Sequence, residues 1–209
     1  MRIENLTKKY GDNTVYENFN LEIEEGEITC ILGESGSGKT TLLNCIAGLT
    51  DFDGTIPKLK CSYVFQNHRL VPCLTVFENL ALVCPDKEKI ESVLNDLHFS
   101  DKRDEYPLKL SGGQAQRASL ARALVFGGDI MLMDEPFSSL DLKLKKDITA
   151  QFKKLHQDLK FTAIFVTHDI DEALELGARI VVINNGKIVL DKKNVTKSRK
   201  EIISALLSA

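Results

Sequence analysis

Apolar positions recur along the chain in short runs separated by longer mixed stretches, and their spacing changes character twice. Residues 2–6 and 15–23 alternate partly between apolar and polar side chains, which predicts half-buried strands. Residues 27–32 (EITCIL) form a denser run of strand length, the pattern of a strand covered on both faces. Leu42, Leu43, Cys45, Ile46 and Ala47 then take helical spacing up to Gly48, which is placed to end that helix. After loops and a predicted strand at 61–65, the period is helical from 75 to 126. It opens with the capping box Thr75-x-x-Glu78, restarts at Pro85-Asp86 and breaks at Pro107. Strand-like runs return at 130–133, 162–166 and 180–183, with helices predicted at 143–159 and 171–176. Strands separated by helices predict a mainly parallel α/β sheet, whereas Asn185-Gly186 between two β-branched runs predicts a hairpin.

In such a sheet ligands gather beyond the carboxyl ends of the strands, so the residues that follow each apolar run carry most weight. Directly after the run at 27–32 stands GESGSGKTT (33–41), which contains the phosphate-cradle pattern G-x-x-x-x-G-K-S/T and predicts a bound nucleoside triphosphate. Gly33, Gly36 and Gly38, with Glu34, Ser35 and Ser37 between them, let the backbone turn and aim its N–H groups at an anion. Lys39 is placed to bridge the outer phosphates and Thr40 to ligate Mg²⁺, with Thr41 completing the phosphate-binding stretch at a helix N-terminus. A Gly/Ser-rich surface turn is the bland alternative. A chance match in a chain this long is expected about once in a hundred, and the strand–loop–helix setting argues further against it.

Three other runs end in candidate chemistry. Adjacent carboxylates after a strand point in opposite directions, so Asp134 suits a magnesium shell and Glu135 suits orienting or deprotonating a water. His168 is a candidate γ-phosphate contact, although a lone histidine also serves as a helix cap. Gln66 can offer a carbonyl oxygen to Mg²⁺ and an amide to a water. Finally, LSGGQ (110–114) reads as the capping box Ser111-x-x-Gln114, which leaves Gly112 and Gly113 unexplained because each costs about 1 kcal/mol against alanine in a helix. Bare backbone at a helix start suits close approach by an anion, so the chain carries two candidate phosphate-binding helix starts.

With 209 residues and 43% hydrophobic content, one domain with an inserted subdomain is expected. A net charge of -3 argues against broad nucleic-acid binding. Lys192, Lys193, Lys197, Arg199 and Lys200 form a local basic patch before IISALLSA, a candidate membrane-surface or partner contact against the bland reading of a solvated face. The N-terminus has no apolar leader, and no segment approaches the roughly 18 apolar residues of a bilayer span, so the expected location is cytosolic. The five cysteines, Cys30, Cys45, Cys61, Cys73 and Cys84, lack C-x-x-C spacing and sit mostly among apolar neighbours, as reduced core residues do.

In order and kind these motifs resemble those of the nucleotide-binding subunit of an ATP-binding cassette (ABC) transporter, and the resemblance spans nearly the whole chain. It implies a P-loop NTPase core with a mainly parallel sheet, an N-terminal antiparallel β subdomain and an inserted helical subdomain. The core falls at about 1–66 and 129–209, with the helical part at 67–128. By the same resemblance 33–41 is the Walker A loop, Gln66 the Q-loop glutamine, LSGGQ the signature, Asp134 the Walker B aspartate and Glu135 the catalytic glutamate. SSLD (138–141), with Asp141, matches the D-loop, His168 the switch histidine, and Tyr10 the aromatic residue that stacks on adenine. The family pattern implies two copies packed head to tail, each ATP lying between one Walker A loop and the other copy's signature. It further implies permease subunits contacted through 66–78, attachment to the cytoplasmic face of the membrane, and an extracytoplasmic solute-binding protein. No nucleic-acid partner is expected.

Phe65-Gln66, Arg69-Leu70 and Pro72 look most like ATPases of sulfonate, taurine and nitrate importers, which often carry tryptophan where this chain has Cys73. A chain that stops soon after the hairpin leads one to expect no regulatory extension. Export or lipoprotein release stays open as an alternative, as does a non-transport ABC ATPase. Against the last, the insertion is short and shows no sustained heptads, and there is one cassette rather than two.

Overall fold

The structure is a computed structural model that describes residues 1–138, 140–177, 179–193 and 199–207. Ser139 of the SSLD stretch and Lys197 of the basic patch lie outside the described residues, as do Ser208 and Ala209.

Two sheets form the frame. A three-stranded antiparallel sheet runs in the order β2-β1-β4, from β1 (Arg2–Tyr10), β2 (Asn13–Glu22) and β4 (Asp53–Thr55). The second has six strands in the order β5-β6-β7-β3-β8-β9: β3 (Ile28–Leu32), β5 (Cys61–Val64), β6 (Ile130–Asp134), β7 (Ala163–Thr167), β8 (Arg179–Asn184) and β9 (Lys187–Lys193). All its pairings are parallel except β8 with β9, the hairpin predicted at Asn185-Gly186. Both turn residues take positive φ (45° and 71°), as a tight hairpin requires.

The central strands read as continuous apolar runs because both of their faces are covered. In β3, Cys30 and Leu32 face one core while Ile31 faces the other, and in β6 Met131 and Met133 oppose Ile130 and Leu132. One core is closed by the helices α3 (Lys87–Asp96), α4 (Gly112–Phe126), α5 (Leu142–Leu159) and α6 (Ile170–Leu176). The other lies between the six-stranded sheet, α1 (Lys39–Ile46) and the antiparallel sheet. This is the expected α/β architecture, and it brings the carboxyl ends of β5, β6, β7 and β3 to one edge.

The predicted helical stretch at 75–126 is α2 (Val76–Ala81), α3 and α4, joined through two 3-10 turns at Ser100–Lys102 and Pro107–Lys109. The Thr75–Glu78 box and the Asp86 cap start the first two helices as expected. The basic tail is less free than its composition suggests. Lys192 pairs with Glu201, Lys193 with Glu24 and Arg199 with Asp171, while Arg199–Leu207 forms a helix, α7, that buries Ile202. Among the cysteines, Cys73 departs from the expected core placement and is exposed. Among the described residues no helix is long and apolar enough to cross a membrane.

Candidate functional site

The loop between β3 and α1 folds around its lysine. Lys39 is 5% exposed, and its Nζ donates to the carbonyl oxygens of Gly33 at 2.8 Å and Glu34 at 2.7 Å. Burial pushes this ammonium below its usual range, against the pull of the Glu135 and Asp134 carboxylates. Two glycines are sterically required. A Cβ on Gly33 would lie 2.4 Å from the Ile183 carbonyl oxygen, and one on Gly38, at φ 98°, would meet Val15 and Tyr16 at 2.9 Å. The antiparallel sheet thus packs directly on the loop and brings Tyr10 and Val15 to the cleft the loop borders.

That cleft, of about 340 Å³, is lined by Tyr10, Ser35, Gly36, Gly38, Lys39, Thr40, Thr41, Gln66, Asp134 and Glu135, so most of the predicted phosphate and metal residues meet in one place. Gly33, Glu34 and Ser37 shape the loop behind it, with Ser37 buried.

The two adjacent carboxylates have different partners. Asp134 ends β6, and the Thr40 hydroxyl donates to its Oδ1 at 3.1 Å. Burial raises the Asp134 carboxyl above its ordinary range, the Thr40 hydrogen bond opposes this, and the nearby Glu135 charge adds to it. A buried carboxylate beside a hydroxyl, with Gln66 on the same wall, is a hard-oxygen set that fits Mg²⁺. Among the described residues no group of three or more His, Cys, Asp or Glu is placed to hold a metal, so a cation here would complete its shell from ligand oxygens and water.

Glu135 takes a left-handed backbone (φ 44°) that a non-glycine residue holds only under restraint. Its N–H donates to Val166 O at 3.0 Å, and its carbonyl accepts from Ser138 N at 3.2 Å and Ser138 Oγ at 3.0 Å. So held, its carboxylate lies 3.0 Å from His168 Nδ1. His168 follows β7 and stays largely exposed; it faces Glu135 and is not among the residues that line the cleft.

The signature residues do not line this cleft; Ser111, Gly113 and Gln114 border a second one with Arg117 and Leu144. Ser111 and Gln114 form the predicted capping box: Gln114 N donates to Ser111 Oγ at 3.3 Å, and Ser111 N to Gln114 Oε1 at 2.9 Å. The two glycines separate. Gly113 has an intrachain reason, since a Cβ there would fall 2.2 Å from Leu144 Cδ2 on α5, whereas Gly112 faces open space. Asp141 also stays outside the first cleft and caps α5, accepting from Lys143 N and Leu144 N.

Sequence reasoning missed three residues that hold the site. Gln116 and Arg122 on α4 bond the backbone of the Gln66 segment, and Lys145 on α5 bonds Asp169. Nothing in the sequence marks them, because their partners are 24 to 54 residues away.

Comparison with known proteins agrees with this geometry. The ABC transporter family matches residues 16–138. The chain is 40% identical over 207 residues to the sulfate/thiosulfate import ATP-binding protein CysA of Synechocystis sp., covering 89% of this chain and 58% of that protein. It is likewise 40% identical over 208 residues to a probable sulfate/thiosulfate import ATP-binding protein CysA of Chlorella vulgaris, covering 90% and 88%. It therefore spans little more than half the length of the first of these relatives. These importer ATPases are a type close to the sulfonate, taurine and nitrate group expected from 65–72. A dimeric ATP-binding cassette solved in a post-hydrolysis state with ADP and Pi superposes with a TM-score of 0.80 at 32% identity, over 92% of this chain and 97% of that one. On the family match and on 40% identity across nine-tenths of its length, the chain belongs to the ABC transporter family.

Proposed function

We propose that this chain binds ATP with Mg²⁺ and hydrolyses it as the ATP-binding subunit of an importer. The single observation that carries the reading is the convergence of Lys39, Thr40, Gln66, Asp134 and Glu135 on one cleft. The loop 33–38 and Lys39 bind the phosphates, Tyr10 stacks on the adenine, and Thr40, Asp134 and Gln66 hold the cation. Bound magnesium would neutralise phosphate charge. Glu135 orients the attacking water or accepts its proton, and His168, bonded to Glu135, contacts the γ-phosphate.

A second copy supplies the other wall. Within one chain Ser111, Gly113 and Gln114 border a separate cleft, and a Cβ on Gly112 would meet no neighbour. A head-to-tail dimer places Ser111, Gly112, Gly113 and Gln114 of one copy, with the Asp141 segment, against the nucleotide of the other. ATP closes the pair and hydrolysis releases it, a population shift that a permease partner can use. That permease meets the segment 66–78, which seats the chain on the cytoplasmic membrane face, and in an importer an extracytoplasmic binding protein delivers the solute. The core at 1–66 and 129–209 and the helical part at 67–128 are the two bodies of this cycle.

Glu135→Gln tests the reading: it keeps the size of the side chain and removes the base. Nucleotide titration, phosphate release and light scattering should show intact ATP binding, nearly abolished turnover and an accumulated ATP-bound dimer. Turnover close to wild type would overturn the assignment of Glu135.

A further inference from the structure

His168 stands between two residues, Thr167 and Asp169, that are tied to one partly buried ion-pair cluster. Lys145, in the first turn of α5, places Nζ 2.9 Å from Asp169 Oδ2 and 3.3 Å from Glu172 Oε1, the second an ion pair rather than an aligned hydrogen bond. The Lys145 side chain is 13% exposed and that of Glu172 6%, so the cluster is screened far less than a surface pair. Asp169 Oδ1 caps α6, accepting from Asp171 N at 2.9 Å and Glu172 N at 3.3 Å. On the other side of His168, Thr167 Oγ1 accepts from Asp169 N at 3.0 Å and donates to Glu172 Oε2.

Helix α5 begins from the segment that carries Glu135. Asp141 caps it, the Lys145 N–H donates to Asp141 O at 2.9 Å, and Phe137 packs on Phe165 of β7 with ring centroids 5.6 Å apart. Segment 135–145 is therefore joined to segment 167–172 at both ends: by Glu135 with His168, and by Lys145 with Asp169 and Glu172. An imidazole as exposed as that of His168 has little packing of its own to fix it, so its place relative to Glu135 depends on how its neighbours are held.

We propose that Lys145 is a positioning residue for hydrolysis, which fixes His168 relative to Glu135 by clamping Asp169 and Glu172 to the start of α5 from outside the nucleotide cleft. This rests on the roles proposed above for Glu135 and His168. The test measures phosphate release, ATP affinity and thermal unfolding for Lys145→Ala, Lys145→Arg and His168→Ala, and for the first combined with the last. Lys145→Ala should lower kcat about 10- to 100-fold, the cost of a small misplacement at a reacting centre, while ATP affinity stays within about twofold. Lys145→Arg, which can span both carboxylates, should recover most of the rate. In the His168→Ala background Lys145→Ala should cause no further loss, because it acts through His168. Should Lys145→Ala not fold, Asp169→Asn keeps the α6 cap, breaks the ion pair and carries the same expectation. A lowered melting temperature with unchanged kcat, or an equal fold-loss in both backgrounds, overturns the proposal and leaves the ATPase reading intact. A His168→Ala chain with wild-type turnover overturns the role of His168 instead.

Discussion

Gln116 Nε2 donates to the carbonyl oxygen of Phe65 at 3.1 Å, which ties the backbone just before Gln66 to helix α4. Six residues along, the Arg122 guanidinium donates to the carbonyls of Arg69 at 2.8 Å and His68 at 3.1 Å. Arg69 itself, at φ 45°, lays its guanidinium over the Phe65 ring, 3.8 Å from the centroid. The helix that opens with LSGGQ is thus bonded to the 65–69 segment at three carbonyls. Gln116 is 2% exposed, so Gln116→Leu strands a carbonyl with no donor. It should cost about 1–3 kcal/mol in denaturant unfolding, and turnover should fall more than nucleotide affinity. An unchanged unfolding midpoint would show that the bond contributes nothing.

The two glycines of LSGGQ should respond to alanine in opposite ways. At Gly113 the new methyl meets the end of the half-buried Leu144 side chain, which must shift, a cost of about 1 kcal/mol at the low end of overpacking. At Gly112 it meets nothing, so the exposed first turn of α4 should be unchanged or more stable by up to about 1 kcal/mol. Yet Gly112→Ala should lower the concentration-dependent ATPase rate, because the space it fills is the one a second copy needs. Ser111→Arg should act more strongly, stopping hydrolysis while nucleotide still binds the isolated chain. Ser111→Ala serves as control for the lost cap, worth about 1 kcal/mol. Full activity at high dilution in any of these variants would be incompatible with a shared site.

What could be read from the sequence is what writes a local pattern. EITCIL was legible because a strand covered on both faces reads as one apolar run, and the residues after each run were legible because parallel strands end on one edge. β1 extends to Tyr10 rather than stopping at residue 6, for two physical reasons. Asn5, at φ 53°, breaks the alternation with a register shift, and the next inward position is Lys8, 8% exposed with Nζ bonded to Asp51 O at 2.5 Å. A buried lysine looks like surface in a hydropathy pattern. β4 was missed because its three residues are all exposed and exist as a strand only through pairing with β1. Lys145 reads as one lysine among Lys143, Lys145 and Lys146, and only the arrival of α6 distinguishes it. Gly113, read as a ligand position, also packs against Leu144 of α5, which no local pattern shows.

Asp169 gives the fold a defined acid response. Burial raises its carboxyl, but the hydrogen bond and charge of Lys145, with the N–H groups of Glu172 and Asp171, outweigh this and hold it below the usual carboxylate range. Its folded pKa is therefore below the unfolded value of about 3.9, so its stabilisation is present above that value and lost as pH falls through the folded one. Lys145 behaves in the opposite sense. Burial lowers its ammonium, yet Asp169 and Glu172 more than compensate, so its share is present at neutral pH and fades only as pH rises beyond the ordinary lysine range. Burial raises the Glu172 carboxyl above its ordinary range, against the opposing pull of Thr167 and Lys145. Asp171, the remaining nearby acid, is occupied by Arg199. The stability difference between wild type and Asp169→Asn should stay flat from about pH 6 to 8 and narrow below about pH 4. A gap that persists unchanged to pH 2 would mean that the charge of Asp169 is not what stabilises the junction.

Tyr10 closes β1 half exposed, its ring centroid 4.6 Å from Lys8 Nζ, on the wall of the cleft bordered by the 33–41 loop. So little of the ring belongs to a core that Tyr10→Ala should change folding stability by no more than about 0.5 kcal/mol. Its effect should fall on the ligand. One aromatic–base stack is worth about 1–3 kcal/mol, which corresponds to a loss of about 5- to 150-fold in ATP affinity by titration. Tyr10→Phe keeps the ring face and should bind normally. ADP should weaken as much as ATP, because the lost contact is to the base and not to the γ-phosphate, whereas Glu135→Gln should leave both affinities near wild type. Equal binding of ATP and ADP by Tyr10→Ala and wild type would remove the ring from the adenine site.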